Sequence, residues 1–415
     1  MRILYICRIF SGFEKSLGSG KWEPMGTPTI FKMMNALDKG PHDVRFVMTA
    51  RGMGADFHAN WHTNKDAEVD LENFDHPILI IAGENRFTKM FRKFRGHLTG
   101  LARLYRVLRE VRRFNPDLVY VDRSNVAIGA FLARFSGHRV FLRIMGIYPS
   151  MRELLTSRRI ADRLQRWAFH SPFAYALCTE DGTGGGGWMA KALRDDVPRA
   201  IVLNGVSPHA LKTTIDARIR AIPSNKMVFM FVGRLEAIKG CCEFVEACLS
   251  VQHDQRDKIH AVVIGTGTLE TTLHARISDC NAEPMFTFIP HLPHDQIGNA
   301  HERADVYVSL NYLGNLSNAN LECMNAGLCM IIPAARKTDG IDLVTDSLVP
   351  DDSVVRIAPD DMTKQLAERI HAFVTNPDQI NQYQRSMKMA ASTFIKNWDD
   401  RIAEEFELLE LAGRS

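Results

Sequence analysis

Residues 230–240 read MFVGRLEAIKG, and residues 304–327 read ADVYVSLNYLGNLSNANLECMNAG. In each segment a short apolar strand runs into a loop that contains glycine, and a helical pattern follows the loop. In a doubly wound α/β sheet, such loops lie at the carboxyl ends of parallel strands, where ligands bind. The two segments therefore predict a doubly wound sheet with two ligand-binding loops.

The side chains of these loops suit a nucleotide diphosphate. The first loop carries Arg234 and Lys239, and the second leads into a helix that carries Glu322 about one turn from its start. Cations and helix N-terminal amides bind phosphates, and a carboxylate accepts hydrogen bonds from ribose hydroxyls. The alternative is two solvated surface cations and a glutamate that only favours the helix dipole. Ser317 or Asn318 is the expected helix cap.

Short apolar runs alternate with helical patterns along the chain. In the first half the expected strands are 3–7, 44–48, 77–81, 118–121, 140–144, 174–178 and 201–205, and in the second half 227–232, 260–265, 285–289, 305–310 and 328–333. Two successive blocks of this kind predict an α/β fold with two Rossmann-like domains facing a central cleft. We place the first domain at 1–205, the second at 206–391 and a C-terminal helix within 392–415.

These motifs resemble those of a known family. VGRLEAIKG at 232–240, VIGTGTLE at 263–270, LNGVS at 203–207 and the strand and helix of 304–327 are similar to segments of the retaining, nucleotide-sugar-dependent glycosyltransferases of the GT-B fold, family 4. The resemblance is densest over 203–335 and traceable over 1–150. It implies a hexosyltransferase-like enzyme that moves a sugar with retention and uses no metal.

The resemblance also implies roles for single residues. Arg234 and Lys239 would be catalytic, because they would stabilise the charge that grows on the departing diphosphate. The C-terminal helix would cross back onto the first domain. The groups expected to bind the donor are Gly26, Gly233, Gly265, Asn315, Ser317, Asn318 and Glu322.

The chain departs from the family pattern at two positions. Gly314 stands where the family has a glutamate that contacts the sugar of the donor, and Asn311 with the polar residues of 315–318 can offer neutral groups instead. Met145 stands where the family has a histidine. Its neighbour Gly146, together with Asp122 and Arg123 after the strand at 118–121, forms the expected acceptor side.

Charge is distributed unevenly between the halves. Residues 1–204 hold 31 Lys and Arg against 20 Asp and Glu, whereas residues 205–415 hold 20 against 28. A basic and aromatic stretch, RFTKMFRKFRG at 86–96, predicts that Arg92, Lys93 and Arg95 contact an anionic membrane surface. A second basic stretch contains Arg158, Arg159, Arg163 and Arg166. The alternative is a solvated basic face.

Other features exclude several classes of protein. No run of 18 apolar residues occurs, and MRILYICRIF at the start is expected to be a buried strand and not a signal peptide. The eight cysteines lack metal spacing, and His58, His62, His291 and His294 do not stand in a carboxylate–histidine frame, so no metal is predicted. We expect no cofactor and no nucleic-acid partner.

The glycine-rich stretch GTGGGG at 182–187 follows a strand and fits the pattern of dinucleotide-binding proteins. The acidic residue expected about 20 positions further on is missing, since Asn204 stands there. We therefore predict a flexible loop lining the cleft and no nicotinamide site.

The sequence as a whole favours a glycosyltransferase that acts on a glycan or lipid-linked acceptor in cell-surface polysaccharide or glycolipid synthesis. Its expected location is the cytoplasm, as a peripheral protein on the inner face of the cell membrane. One alternative is a degenerate module that binds nucleotide-sugar or glycan, or that partners an active subunit. A weaker alternative is an epimerase or hydrolase of the same fold.

Overall fold

The computed structural model describes residues 1–50, 66–82, 95–208 and 211–414. The chain divides into two compact units. The first unit comprises Met1–Thr179, Gly185–Val202 and Asp399–Ser415, and the second comprises Glu180–Gly184 and Leu203–Trp398.

Each unit is built on one sheet. The strands of the first sheet are β1 (Arg2–Arg8), β2 (Asp43–Thr49), β3 (Ala67–Val69), β4 (Ile78–Ile81), β5 (Leu118–Asp122), β6 (Val140–Ile144), β7 (Tyr175–Glu180) and β8 (Arg199–Leu203). Those of the second are β9 (Met227–Val232), β10 (Ile259–Ile264), β11 (Phe286–Ile289), β12 (Val306–Val308), β13 (Cys329–Pro333) and β14 (Val355–Ile357). The first sheet has the order β3-β4-β2-β1-β5-β6-β7-β8, and the second has the order β11-β10-β9-β12-β13-β14.

Helices connect the strands. They are α1 (Glu14–Ser19), α2 (Pro28–Asp38), α3 (Arg95–Phe114), α4 (Val126–Phe135), α5 (Pro149–Leu154), α6 (Ile160–Phe169), α7 (Gly185–Ala192), α8 (Ala217–Arg220), α9 (Cys241–Leu249), α10 (His253–Arg256), α11 (Glu270–Asp279), α12 (Ile297–Arg303), α13 (Asn318–Ala326), α14 (Leu343–Leu348), α15 (Met362–Thr375), α16 (Asp378–Phe394) and α17 (Trp398–Arg414).

Both sheets reverse their strand order at one point. In the first sheet the reversal lies between β1 and β5, and in the second it lies between β9 and β12. Both of these pairs are parallel, whereas β3 runs antiparallel to β4 at the edge of the first sheet. Loops that leave adjacent strands at such a reversal diverge to opposite faces and leave room for a ligand. The sheet order therefore favours a site after β9 and β12.

Alternating strand residues build the two faces of the first sheet. On one face, aliphatic residues of β1, β5, β6 and β7 pack with helices α3 to α7. On the other face the rings of Tyr5, Tyr120, Phe141 and Tyr175 form a ladder across the same strands, with centroids 4.5, 5.4 and 5.6 Å apart. Helix α17 lies against this ladder. Tyr120 donates a hydrogen bond to Glu405 of this helix at 2.8 Å.

The predicted α/β class with two Rossmann-like sheets is confirmed. Each predicted strand is found with its ends within two residues of the expected ones, whereas β3 and β14, of three residues each, were not predicted. The prediction of a flexible loop over 182–187 is wrong for its second half, because Gly185 begins α7. A side chain at Gly185 would lie 2.7 Å from the sulfur of Cys178, so glycine allows this helix to pack closely on β7.

The predicted membrane-contact stretch falls mostly outside the described residues. Arg92 and Lys93 lie in the gap before residue 95, and Arg95 is the first residue of α3. His58 and His62 also lie outside the described ranges. Within those ranges, every helix is too short or too polar to cross a bilayer.

Candidate active site

The loop Gly233–Gly240, which we call the cation loop, carries the two predicted catalytic cations and is bound to the loop after β10. The Gly233 amide donates to the carbonyl of Ile264 at 3.0 Å, and the Leu235 amide donates to the carbonyl of Thr266 at 2.9 Å. Gly265 has φ +135°, and a Cβ there would lie 2.0 Å from the Gly233 carbonyl oxygen. Glycine at 265 is therefore required for the two loops to approach each other.

Arg234 and Lys239 lie at opposite ends of this loop and differ in exposure. Arg234 is exposed, whereas Lys239 is half-buried at the end of the turn Ala237–Lys239. Burial, and then the neighbouring Arg234, lowers the pKa of Lys239, while Asp181 acts in the opposite direction. Two cations and one carboxylate of the second unit thus share an electrostatic environment.

Glu322 lies in the second turn of α13. This helix begins at the expected residue, because Ser317 accepts a hydrogen bond from the Asn320 amide at 3.4 Å. It ends at Gly327, which has φ +73°. Oε1 of Glu322 lies 2.9 Å from Nε2 of His294. The fold brings His294 from the loop after β11 to the side of α13, and the sequence does not display this pairing.

A cavity of about 240 Å³ lies beside this pair. Its lining residues come from the segment before α8, the loop after β11, α12 and α13, and include Val206, Lys212, His294, Asp295, His301 and Glu322. The cavity therefore combines apolar walls with two carboxylates, two imidazoles and an ammonium group, all within the second unit.

The loop between β12 and α13 is held from inside by Asn315. Asn315 is fully buried, and both its amide and its Nδ2 donate to Asp342 at 2.7 Å. Its Oδ1 accepts from the hydroxyl of Ser309 at 3.0 Å. These groups of Asn315 shape the loop, and a role of Asn315 in binding the donor stays a prediction.

Ser317 and Asn318 are half-buried at the start of α13. Oγ of Ser317 caps the helix, and Oδ1 of Asn318 accepts from Nδ2 of Asn204 at 2.6 Å. This bond ties α13 to the segment that follows β8. Both residues thus hold the N-terminus of the helix in place near the cation loop.

The segment Glu180–Gly184 belongs to the second unit and lies against the loop between β12 and α13. The Leu316 amide donates to the carbonyl of Asp181 at 3.2 Å, and the Asp342 amide donates to that of Gly182 at 2.8 Å. A Cβ at Gly314 would lie 2.5 Å from the Asp181 carbonyl oxygen. The position at which the family resemblance led us to expect a glutamate therefore has no room for a side chain.

Asp181 is a site residue that sequence reasoning missed. Burial raises the pKa of its carboxyl group, while hydrogen bonds from Thr183 and the charge of Lys239 lower it in part. Thr183 donates its amide to Oδ1 of Asp181 at 3.1 Å. The position of Asp181 next to the end of a strand was a signal, but Lys239 and the Leu316 amide are distant from it in sequence.

In the first unit, Gly26 and Gly146 have left-handed backbone conformations, with φ +87° and +94°. A Cβ at Gly26 would lie 2.2 Å from the carbonyl oxygen of Ser11. Gly26 is therefore needed for the close approach of two parts of the loop after β1. Gly146 is buried in the loop that follows β6.

The other two predicted acceptor-side residues are the last residue of β5 and the residue after it. Asp122 is buried and accepts from Nδ2 of Asn125 at 2.7 Å, and burial raises its pKa. The Arg123 guanidinium lies 4.9 Å from the ring centre of Tyr148. Both therefore have clear local partners in the first unit.

The structure brings the second-unit residues together at one edge of its sheet, after β9, β10 and β12. The predicted first-unit residues lie at the corresponding edge of the other sheet, after β1, β5 and β6. Within the described parts of the chain, no group of three or more His, Cys, Asp and Glu side chains could hold a metal ion.

Known proteins show the same fold. The sequence model of the family described as Glycosyl transferases group 1 matches residues 212–391. No curated protein matches the chain by sequence. Sucrose-phosphate synthase from Thermosynechococcus elongatus is similar in structure, with a TM-score of 0.70, 13% identity, and coverage of 99% of this chain and 98% of that one.

Two further solved structures are similar over nearly their whole length. Anabaena HepE in complex with UDP-glucose has a TM-score of 0.67 at 15% identity, with coverage of 98% and 99%. The apo form of the lipopolysaccharide outer core galactosyltransferase WaaB has a TM-score of 0.60 at 14% identity, with coverage of 99% and 100%. The chain thus matches the model of the Glycosyl transferases group 1 family over residues 212–391 and shares its two-domain α/β fold with these solved structures.

Proposed function

We propose that this protein is a glycosyltransferase that moves a sugar from a nucleotide-diphosphate sugar to a glycan or lipid-linked acceptor. The observation that carries the proposal is the pair of loops after β9 and β12, the adjacent strands at which the sheet order reverses. One loop supplies Arg234 and Lys239, and the other leads to Glu322. The family match covers both loops.

Arg234 and Lys239 are the proposed catalytic residues. When the glycosyl bond breaks, negative charge grows on the departing β-phosphate, and cations held in place before the reaction lower the barrier. Amides at the N-terminus of α13 add positive potential at the same edge of the sheet. In this scheme the chain's own cations provide the charge stabilisation, and no metal ion is required.

Glu322 is the proposed ribose ligand. A carboxylate accepts strong hydrogen bonds from hydroxyl groups, and the cavity beside Glu322 and His294 offers room for part of a nucleoside. The similar Anabaena protein HepE has been solved with UDP and with UDP-glucose. We assign the diphosphate to the Gly233–Gly240 loop and the loop after Gly265.

The first unit is the proposed acceptor-binding unit, in which Gly146, Asp122 and Arg123 would face the acceptor. Gly26 of the same unit would contact the donor. The excess of cations in residues 1–204 suits an anionic lipid carrier. We further propose that transfer retains the configuration of the sugar. The protein would then act in cell-surface polysaccharide or glycolipid synthesis, as a peripheral protein on the inner membrane face.

A two-stage experiment tests this function. Thermal shifts with UDP, GDP, ADP and dTDP species identify the nucleotide, and the matching nucleotide-sugars are then incubated without acceptor and with lipid extracts. Acceptor-dependent release of the nucleoside diphosphate is the expected result. Binding without turnover would indicate a degenerate module, and free sugar without acceptor would indicate a hydrolase.

Variants locate the reaction in the proposed site. Arg234→Ala and Lys239→Ala should each lower kcat on the order of 10²-fold, as loss of a charge-stabilising group does in other enzymes. Arg369→Ala, an exposed cation on α15, is the matched control and should keep wild-type turnover. If both site variants also kept it, with melting temperatures unchanged, the cation loop would not be the active site.

A further inference from the structure

Helix α6 carries large apolar side chains on its outer face. Ile160, Leu164 and Trp167 are 75%, 59% and 45% exposed. Their spacing of four and then three residues places them on one stripe of the helix. Phe135, at the end of α4, is 64% exposed, and its ring centre lies 6.2 Å from that of Trp167. We call these four residues the α6 face. A contiguous apolar patch of this kind marks an interaction site more often than scattered exposed residues do.

Cations flank the α6 face. Arg158, Arg159 and Arg163 are exposed, and Arg163 lies one turn after Ile160 on the same side of the helix. Residues 149–170 contain five arginines against two acidic residues, Glu153 and Asp162. Asp162 accepts a hydrogen bond from Ser157. The surroundings of the apolar stripe are therefore strongly positive.

The helix is held firmly in this orientation. Its opposite side is anchored by Ala168 and Phe169, which are buried in the core of the first unit. Nη1 of Arg166 donates to the carbonyls of Leu154 and Leu155 at 2.9 and 3.0 Å. The apolar stripe is thus presented outward by a fixed scaffold and is not the loose end of a chain.

We propose that the α6 face docks on an anionic lipid surface, with its apolar side chains among the lipid headgroups and Arg159 and Arg163 at lipid phosphates. Amphipathic helices with arginine beside tryptophan and leucine bind the interface in this manner. Tryptophan also favours the headgroup level, because its ring is apolar and its N–H is polar. An apolar partner protein would leave the arginines without counter-charges. This inference does not depend on glycosyl transfer.

Vesicle co-sedimentation tests the proposal with three double variants of the full chain. One removes apolar groups (Ile160→Ser with Leu164→Ser), and one removes charges (Arg159→Ser with Arg163→Ser). The control removes an exposed cation and an exposed apolar side chain from α16 of the second unit (Arg385→Ser with Met389→Ser). The probes are phosphatidylcholine vesicles with and without phosphatidylglycerol.

Wild type and the control should bind the phosphatidylglycerol vesicles and ignore the neutral ones. The charge variant should bind about thirtyfold more weakly, because each arginine near an anionic surface contributes ~1 kcal/mol. The apolar variant should lose about tenfold or more, because its side chains no longer leave water. Its residual binding should be abolished by high salt, since only screened charges remain.

The proposal would be overturned if wild type did not bind anionic vesicles or if all variants bound them equally. A dimer in sedimentation velocity that the α6 variants convert to a monomer would also overturn it. The last result would mean that a second copy of the chain covers the face. Thermal shift with the nucleoside diphosphate, measured on the same variants, reports the proposed donor site separately. Loss of lipid binding can thus be told apart from failure of the proposed function.

Discussion

Among single residues, Asp181 links the loop before α13 to the loop that carries Lys239. Its backbone carbonyl is bound by the loop before α13, and its carboxylate shares an electrostatic environment with Lys239. Burial and Arg234 lower the pKa of Lys239, whereas this carboxylate raises it and so favours the ammonium form. Asp181 is therefore expected to act on the reaction through the charge state of Lys239.

Asp181→Asn should shift the pH profile of kcat. The reaction needs protonated Lys239, so the rate should fall as pH rises through the lowered pKa of that lysine. Removing the carboxylate removes an effect that raises this pKa, so the falling limb should move to lower pH. Asp257→Asn, an exposed carboxylate outside the site, is the control. An unchanged limb in the Asp181 variant would count against the coupling.

Residues of one strand–loop–helix pattern were predictable, and residues that reach the site through contacts between distant segments were not. Arg234, Lys239 and Glu322 follow strands in a local strand–loop–helix pattern, which the sequence displays directly. His294 and Asp181 reach the site through contacts that only the folded chain creates. Their roles in the chemistry remain proposals for all five residues.

Among the elements, the turn after β10 sets the position of the cation loop. Gly265→Ala would place a Cβ where the Gly233 carbonyl now lies, at a φ that non-glycine residues avoid. The cation loop must then move. We expect weaker binding of the nucleoside diphosphate by about tenfold or more and a loss of ~1–3 kcal/mol in the free energy of unfolding.

Gly187→Ala is the matched control for this prediction. Gly187 is an exposed residue of α7, and a Cβ there would meet nothing within 4 Å. Alanine in a helix is more stable than glycine by about 0.5–1 kcal/mol, so this variant should gain stability and bind the nucleotide normally. Calorimetric titration and urea unfolding measure both quantities. Equal behaviour of the two glycine variants would show that the turn does not position the loop.

Element boundaries were predictable where capping residues mark them. Helix α13 runs from Asn318 to Ala326 as expected, because Ser317 and Gly327 are strong start and stop signals. Strands β3 and β14 are too short for an alternating pattern to appear. The start of α7 at Gly185 contradicts the low helix propensity of glycine, since tertiary packing against Cys178 decides that position.

In the whole molecule, one buried ionic network ties the C-terminal helix to the first sheet. Glu405 of α17 accepts from Nε of Arg143 at 3.1 Å, from Nη2 of Arg401 at 2.7 Å and from Tyr120. All four side chains are buried. Burial alone would raise the pKa of Glu405, but Arg143 and Arg401 outweigh it and hold the pKa below its ordinary 4.5.

Glu405→Gln should destabilise the protein by about 3–5 kcal/mol, because two buried guanidinium groups lose their counter-charge. The lowered pKa of Glu405 means that its contribution is present above pH 4.5 and is lost as pH falls through the folded-state value. Urea unfolding at several pH values should show this acid dependence in wild type and a weaker one in the variant. Glu407→Gln, exposed on the same helix, should match wild type.

The arrangement of the two units along the chain has a consequence for synthesis on the ribosome. The chain passes between the units four times, because Glu180–Gly184 and Leu203–Trp398 interrupt the first unit. The guanidinium of Arg143 therefore has no Glu405 carboxylate beside it until α17 has been translated and has left the ribosome. A contiguous gene fragment that encodes the whole first unit must also encode the second-unit segments between its parts. A nascent chain that stalls before Asp399 would thus hold an incomplete unit and should be a substrate for chaperones.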